Sequence, residues 1–189
     1  MIFEKLLSEI EAYAPQSEQE TVDQRLMADY CRRHGPATLG RGLLAHLTGS
    51  GFIVNADGRR ALLVHHNQRG AWGWTGGHAD GDADLLAVAQ REAREETGLL
   101  HVHALSPHIG SLDVLPVFGH FKRGSWVPAH IHLSVSYLLW ADENQPLTVK
   151  PDENSGVSWF PADYFTAENF SPTDTALYSK LMARAVALL

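Results

Sequence analysis

Glu92, Glu95 and Glu96 stand close together in GGHADGDADLLAVAQREAREETGL, residues 76–99. At about 100° per residue, a helix brings all three into one arc of roughly 100° on its surface. Carboxylates that close repel by a few tenths of a kcal/mol per i,i+4 pair, roughly, even when exposed. A divalent cation removes that penalty, and hard carboxylate oxygens select Mg²⁺ or Mn²⁺ over zinc or copper. A Glu-rich helix alone usually describes a solvated face. Here the Gly76-Gly77 pair precedes it, letting backbone amides approach an anion, and Gly98 follows as a left-handed cap. Asp84, Arg91 and Glu95 share the adjoining arc, a spacing that predicts Arg91 to orient Glu95 rather than touch substrate.

The chain also carries 11 histidines. His130 and His132 alternate onto one face of a strand, as a cleft-lining pair for phosphate, base or a second metal, or as a plain polar outer face. His78 follows Gly77 directly and His46 opens the first sheet strand, which places both near the cleft mouth. His65, His66, His101 and His103 read as surface or strand-end residues. Trp72 and Trp74 have the chemistry to stack on a base or sugar, and equally to fill a core.

The elements that must position these residues follow from the patterning. Residues 2–14 read as an amphipathic helix carrying Phe3, Leu6, Leu7 and Ile10. A second helix opens with Ser17 and Glu20 in a capping-box spacing, presents Val22, Leu26 and Tyr30 on one face, and stops at Gly35-Pro36. Strands are predicted over 43–47, 51–55 and 60–66, the last two joined by an Asp57-Gly58 turn, with loops over 67–81. The motif helix runs from Asp84 to Thr97. Further strands are expected over 99–105, 111–118, 131–140 and 157–160, with loops over 119–130 and 141–156 and a helix over 171–189.

At 189 residues the chain is long enough for one domain with a full hydrophobic core, so a metal is not needed for folding. The single cysteine, Cys31, excludes an internal disulfide framework and fits a reducing, cytoplasmic setting. The N-terminal segment lacks a signal-peptide pattern, and no run of about 18 apolar residues suggests a membrane span. With a net charge of −7 and basic residues in scattered pairs, binding to nucleic acid or an anionic membrane surface is not expected.

In the motif segment the chain resembles the Nudix hydrolase family, whose signature is G-x5-E-x7-R-E-U-x-E-E-x-G-U, where U is apolar. Gly77, Arg91, Glu92, Ala93, Glu95, Glu96, Gly98 and Leu99 fall in register with it. The chain is also similar to a bacterial subgroup with HLT-x-S, a Trp before GGHxDGD and a later HxH strand, here His46-Leu47-Thr48, Trp72 and His130/His132. The resemblance implies an α/β fold: an α/β/α sandwich with a mixed sheet over residues 43–165, a helical N-terminal extension over 1–42, and a C-terminal helix over 166–189 packed on the domain. The extension would cover a sheet edge or mediate a homodimer.

The resemblance further implies hydrolysis of a diphosphate linkage in a small nucleoside diphosphate derivative, a nucleotide sugar, dinucleotide or nucleoside triphosphate. Glu92, Glu95 and Glu96 would hold Mg²⁺ or Mn²⁺. Glu92 is one proton acceptor for the attacking water, and Glu96 acts beside it. A later carboxylate, Asp152 or preferably Glu153 in PDENSG, is the other acceptor. The family's first Glu falls on Ala83, so Asp82 or Asp84 would take its role, Asp84 being the better placed to cap the helix and face Arg91. Two alternatives stand beside hydrolysis. One is a nucleotide-sensing module without turnover, against which the intact glutamate set argues. The other is an isoprenoid diphosphate isomerase, which needs a cysteine where this chain has Gly76 and Gly77.

Overall fold

In the computed structural model, which describes residues 2–122 and 124–189, every side chain of Ala45–Val54 (β1) is buried, as at the middle of a sheet covered on both faces. The other strands are Arg60–His66 (β2), Ala71–Gly73 (β3), Thr75–His78 (β4), His103–Ala104 (β5), Ser111–Val117 (β6), His120–Lys122 (β7), Ser125–Val127 (β8), His130–Trp140 (β9) and Asn154–Pro161 (β10). The helices are Ile2–Ala12 (α1), Glu18–His34 (α2), Leu85–Thr97 (α3) and Pro172–Val186 (α4). The main sheet runs β10-β2-β1-β9-β5, with β3 beside β2, β4 beside β1 and β6 beside β9. β1 and β9 pair in parallel from Ala45↔Ile131 to Val54↔Trp140, while the remaining pairs are antiparallel. The sheet is therefore mixed.

Side-chain alternation sends the two faces of this sheet to different cores. Leu47, Ile53, Leu133, Val135 and Leu139 join Leu85, Val88, Ala89 and Ala93 of α3, together with Phe3, Leu6, Ile10, Met27 and Cys31 from α1 and α2. Phe52, Val54 and Leu138 join Leu177, Tyr178, Leu181 and Ala185 of α4. The result is the expected α/β/α sandwich, and the N-terminal helices pack on its core. Among the described residues no helix is long and apolar enough to cross a membrane.

Several elements differ from their sequence reading. The strands expected over 43–47 and 51–55 are one strand, because Gly49 between them marks close packing rather than a break. A Cβ on Gly49 would lie 2.6 Å from the Leu85 carbonyl oxygen, so glycine lets α3 press against the strand. The Gly-rich segment over 67–81 contains β3 and β4, and a β7–β8 hairpin lies within the loop expected over 119–130. Of the strand expected over 99–105 only β5 pairs, while Leu99 and Val102 bury into the core. On α2, Val22 and Leu26 are exposed and the buried stripe is Glu20, Met27, Ala28 and Cys31.

That stripe explains the half-formed capping box. Ser17 Oγ accepts the Glu20 N–H at 3.2 Å, but the Glu20 carboxylate accepts from Gln16 N–H and turns to α4. There Arg184 grips both Glu20 oxygens at 2.6 and 2.9 Å, and Lys180 Nζ lies 3.2 Å away. Tyr13 and Ser111 hydroxyls complete the shell, so this buried carboxylate ties the α1–α2 connection, α2, β6 and α4 together.

Candidate active site

α3 is defined at both ends. Asp84 Oδ1 accepts the Ala87 N–H at 3.0 Å, and Gly98 adopts the left-handed conformation at φ 76° with its N–H on Arg94 O. The helix lies across β1 and β4, which points its carboxylates at the glycine pair. Gly76 N–H donates to Glu96 Oε2 at 3.2 Å, and a Cβ on Gly77 would sit 2.4 Å from the Glu92 carboxyl carbon. The space that the glycines leave is taken by the protein's own glutamates.

Glu96 is 4% exposed, and burial, reinforced by Glu92 and Glu153, outweighs the Gly76 N–H and pushes its acid up to about 8. Burial and the neighbouring Glu95 likewise raise Glu92 above the usual carboxylate range. The third member is Glu153, at the entry to β10. Oxygens of Glu92, Glu96 and Glu153 all lie within 4.8 Å of one another. Asn154 holds this junction on α3, its Nδ2 donating to Glu96 O at 2.8 Å and its Oδ1 accepting Lys150 N–H. Lys150 Nζ sits between Glu153 at 3.1 Å and Glu95 at 3.2 Å.

Glu95 therefore stands apart from the expected metal trio, turned to Lys150 and to Arg91 Nε at 3.9 Å. Arg91 also donates to Glu92 Oε1 at 3.4 Å, so it orients Glu92 as well as Glu95. The two roles foreseen for Asp84 are divided. Asp84 caps the helix, whereas the carboxylate that approaches Arg91, at 4.0 Å, is Asp82, because Asp84 is committed to Ala87 N–H. Ala83 packs against the apolar core. Three converging carboxylates, two of them poorly stabilised as anions, fit a hard divalent cation such as Mg²⁺ or Mn²⁺.

The structure also gathers His46, His78, His130 and His132, whose rings stand 4.9–6.5 Å apart. Trp72 is half-buried, edge-on to Phe160 at 4.8 Å, and lines a surface cavity of about 430 Å³ with Phe170 and Asp174. Trp74 is a correction: at 7% exposure, packed on Tyr178 under α4, it fills the core and has no face free for a ligand. Cys31 is fully buried within the α1–α2 side of the core, so it reaches neither cluster. A cavity of about 1,090 Å³ opens between α2, β6 and α4 and includes neither cluster. Chemistry rather than volume locates the site.

Sequence reasoning missed Lys150, Asn154 and Arg41. Lys150 lies in a loop without periodicity and Asn154 opens β10, 55 and 58 residues from the motif-helix residues they contact. Arg41 clamps Asp80 through two bonds of 2.6 and 2.5 Å and feels the charges of Glu92 and Glu153. Asp80 takes part from a positive φ of 48°, a conformation that nothing in the sequence advertised.

The model of the NUDIX domain matches residues 45–181. Among solved structures the chain is similar to a NUDIX-family hydrolase from Clostridium perfringens, at 20% identity and TM-score 0.52 over 73% of this chain and 96% of that one. It is similar to the E. coli dihydroneopterin triphosphate pyrophosphohydrolase, at 15% identity and TM-score 0.54 over 74% and 96%. It is also similar to the NUDIX domain of Shewanella oneidensis NrtR complexed with ADP ribose, at 21% identity and TM-score 0.51 over 83% and 97%. No curated protein matches it in sequence. With the domain model covering most of its length, and the motif helix, glycine pair and sandwich in their places, the chain belongs to the Nudix hydrolase family.

Proposed function

We propose that the chain is a Mg²⁺- or Mn²⁺-dependent pyrophosphohydrolase acting on a diphosphate linkage in a small nucleoside diphosphate derivative. The observation that carries this reading is the convergence of Glu92, Glu96 and Glu153 within 4.8 Å, with Glu96 buried and in no ion pair among the described residues. Glu92 and Glu96 are the metal-holding pair, with Glu95 a peripheral carboxylate steered by Lys150 and Arg91. A bound divalent cation supplies charge neutralisation of the diphosphate and lowers the pKa of water.

Glu153 is the residue suited to accept the proton of the attacking water. It comes from the entry to β10 rather than from the motif helix, and Lys150 at 3.1 Å keeps it in place. Water oxygen forms a bond to one phosphorus, the bridging P–O bond breaks, and the released phosphate leaves as the anion. Arg41, on the Glu92 and Glu153 side, is placed to meet substrate phosphate oxygens. Trp72 and its cavity offer an aromatic edge for a base or sugar.

The test is phosphate or nucleotide release from a panel of nucleotide sugars, dinucleotides and nucleoside triphosphates with Mg²⁺ or Mn²⁺, comparing wild type with Glu96→Gln. Release that disappears in the variant supports the reading and names the substrate class. Nucleotide binding without release across the panel overturns it in favour of a sensing module.

A further inference from the structure

His46, His78, His130 and His132 take no part in that reaction, yet the sheet assembles them tightly. β1 and β9 pair in parallel so that His46 lies beside His132, and His130 follows on the same face of β9 by alternation. On the other side of β1, Thr48 pairs with His78 of β4. Gly77 faces α3 and Glu92, so alternation along β4 turns His78 to the opposite face. One ring nitrogen from each histidine lies within 4.8 Å of the other three.

The hydrogen bonds fix which nitrogens face inward. His46 Nδ1 lies 3.3 Å from Leu43 O, and a carbonyl can only accept, so that nitrogen carries the proton. Its Nε2 is then a lone pair, and it is buried with no partner in a residue 4% exposed. His130 repeats the arrangement, with Nδ1 2.9 Å from Pro128 O and Nε2 aimed at His132 Nε2, 3.2 Å away. Backbone carbonyls that lock the outer nitrogen of an imidazole are the usual second shell of a metal-binding histidine. Four nitrogens held at about 2.05 Å around a tetrahedral ion stand about 3.3 Å apart. The His130–His132 pair is at that separation already.

We infer that His46, His78, His130 and His132 form a tetrahedral all-imidazole site for a borderline transition-metal ion of the Zn²⁺ class, separate from the carboxylate cluster. Neutral nitrogen donors without a carboxylate disfavour Mg²⁺ and suit zinc. The ion cross-links β1, β4 and β9 at the point where β4 carries Gly76 and Gly77 to Glu96 and Glu92. With four protein ligands the site is closed, so its role is to hold that loop.

Co²⁺ titration of the full chain, freed of any histidine tag and stripped with chelator, tests this directly. The expected result is one equivalent bound with the intense visible absorption of tetrahedral Co²⁺, unaffected by millimolar Mg²⁺ and displaced by Zn²⁺. His132→Ala and His130→Ala should each weaken binding at least about 100-fold, while Glu92→Gln leaves the absorption unchanged. His130 is the first residue of β9, so His130→Ala serves if His132→Ala fails to fold by circular dichroism. No tetrahedral absorption in the wild type overturns the inference, leaving a hydrogen-bonded histidine cluster. So does absorption that survives both histidine variants or vanishes with Glu92→Gln, which would put the ion at the carboxylates.

Discussion

Glu20 and Glu96 are both withdrawn from water, at 0% and 4% exposure, and their acids move in opposite directions. Burial alone would raise each of them. At Glu20 the bonds from Arg184, Gln16 N–H and Tyr13, with Lys180 nearby, overcome burial and pull the acid down to about 2. At Glu96 one backbone N–H faces burial plus two further carboxylates, and the acid rises to about 8. The chain provides cations where a buried carboxylate joins helices to the sheet. Where Glu92, Glu96 and Glu153 meet, Arg91 and Lys150 attend the outer two, while Glu96 has no ion pair among the described residues, and the missing positive charge is what a divalent ion brings.

The largest expected effect lies at Glu96. Glu96→Gln should cut turnover by about 10³-fold, equivalent to about 4 kcal/mol of lost transition-state stabilisation, without lowering the melting temperature of metal-free protein. A variant that melts well below wild type would erase the contrast, because Glu96 would then be as structural as Glu20. Arg184→Met is the mirror experiment. It leaves Glu20 buried with Lys180 alone and should cost about 3 kcal/mol in denaturant unfolding, with turnover per folded molecule unchanged.

The same pair sets an acid limb. Glu20 has a depressed folded-state pKa, from 4.5 to about 2, so its contribution is present in full above about 4.5 and is lost as pH falls toward 2. Arg184→Met should flatten this limb, with stability depending less on pH between those values in chemical denaturation at stepped pH. An unchanged slope would mean that the ion cluster does not control the titration of Glu20.

Lys150 sharpens the comparison from the active-site side, since its ion pairs are with Glu95 and Glu153 rather than with Glu96. Lys150→Met should lower kcat about tenfold, or about 1.4 kcal/mol, with KM near wild type. Equal kcat in the variant would show that Lys150 only fastens the loop.

How far the sequence revealed these regions depends on the range of the contacts that build them. The motif helix was legible with its cap and stop because Asp84, Arg91, Glu92, Glu96 and Gly98 are spaced by one helix. Glu153 was found only through a family resemblance, and Lys150 and Asn154 not at all, since their place depends on β10 docking beside β2. The histidines were visible singly, but their meeting depends on a ten-residue parallel register between β1 and β9 that no local pattern encodes. Glu20 was read as a capping residue, which used its short-range partner Ser17 and missed Arg184, 164 residues away. The face of α2 was misread for the same reason, because what it buries includes a charged residue that has its counter-ions elsewhere in the chain.

The smallest effect separates Asp84 from Asp82 beside the same helix. Asp84 satisfies one N–H at the start of α3 and touches no member of the carboxylate trio. Asp84→Ala should therefore lower stability by about 1 kcal/mol and leave kcat as it was. Asp82 accepts the Asp84 N–H at 2.9 Å and stands 4.0 Å from Arg91, whose guanidinium in turn steadies Glu92. Asp82→Asn should leave the melting temperature near wild type and raise the Mg²⁺ concentration for half-maximal turnover about twofold, as read from metal titrations at fixed substrate. If Asp84→Ala instead changes the metal titration and Asp82→Asn does not, the capping residue carries the role that Ala83 has lost, and the route from the helix start to Glu92 runs through backbone position rather than through Arg91.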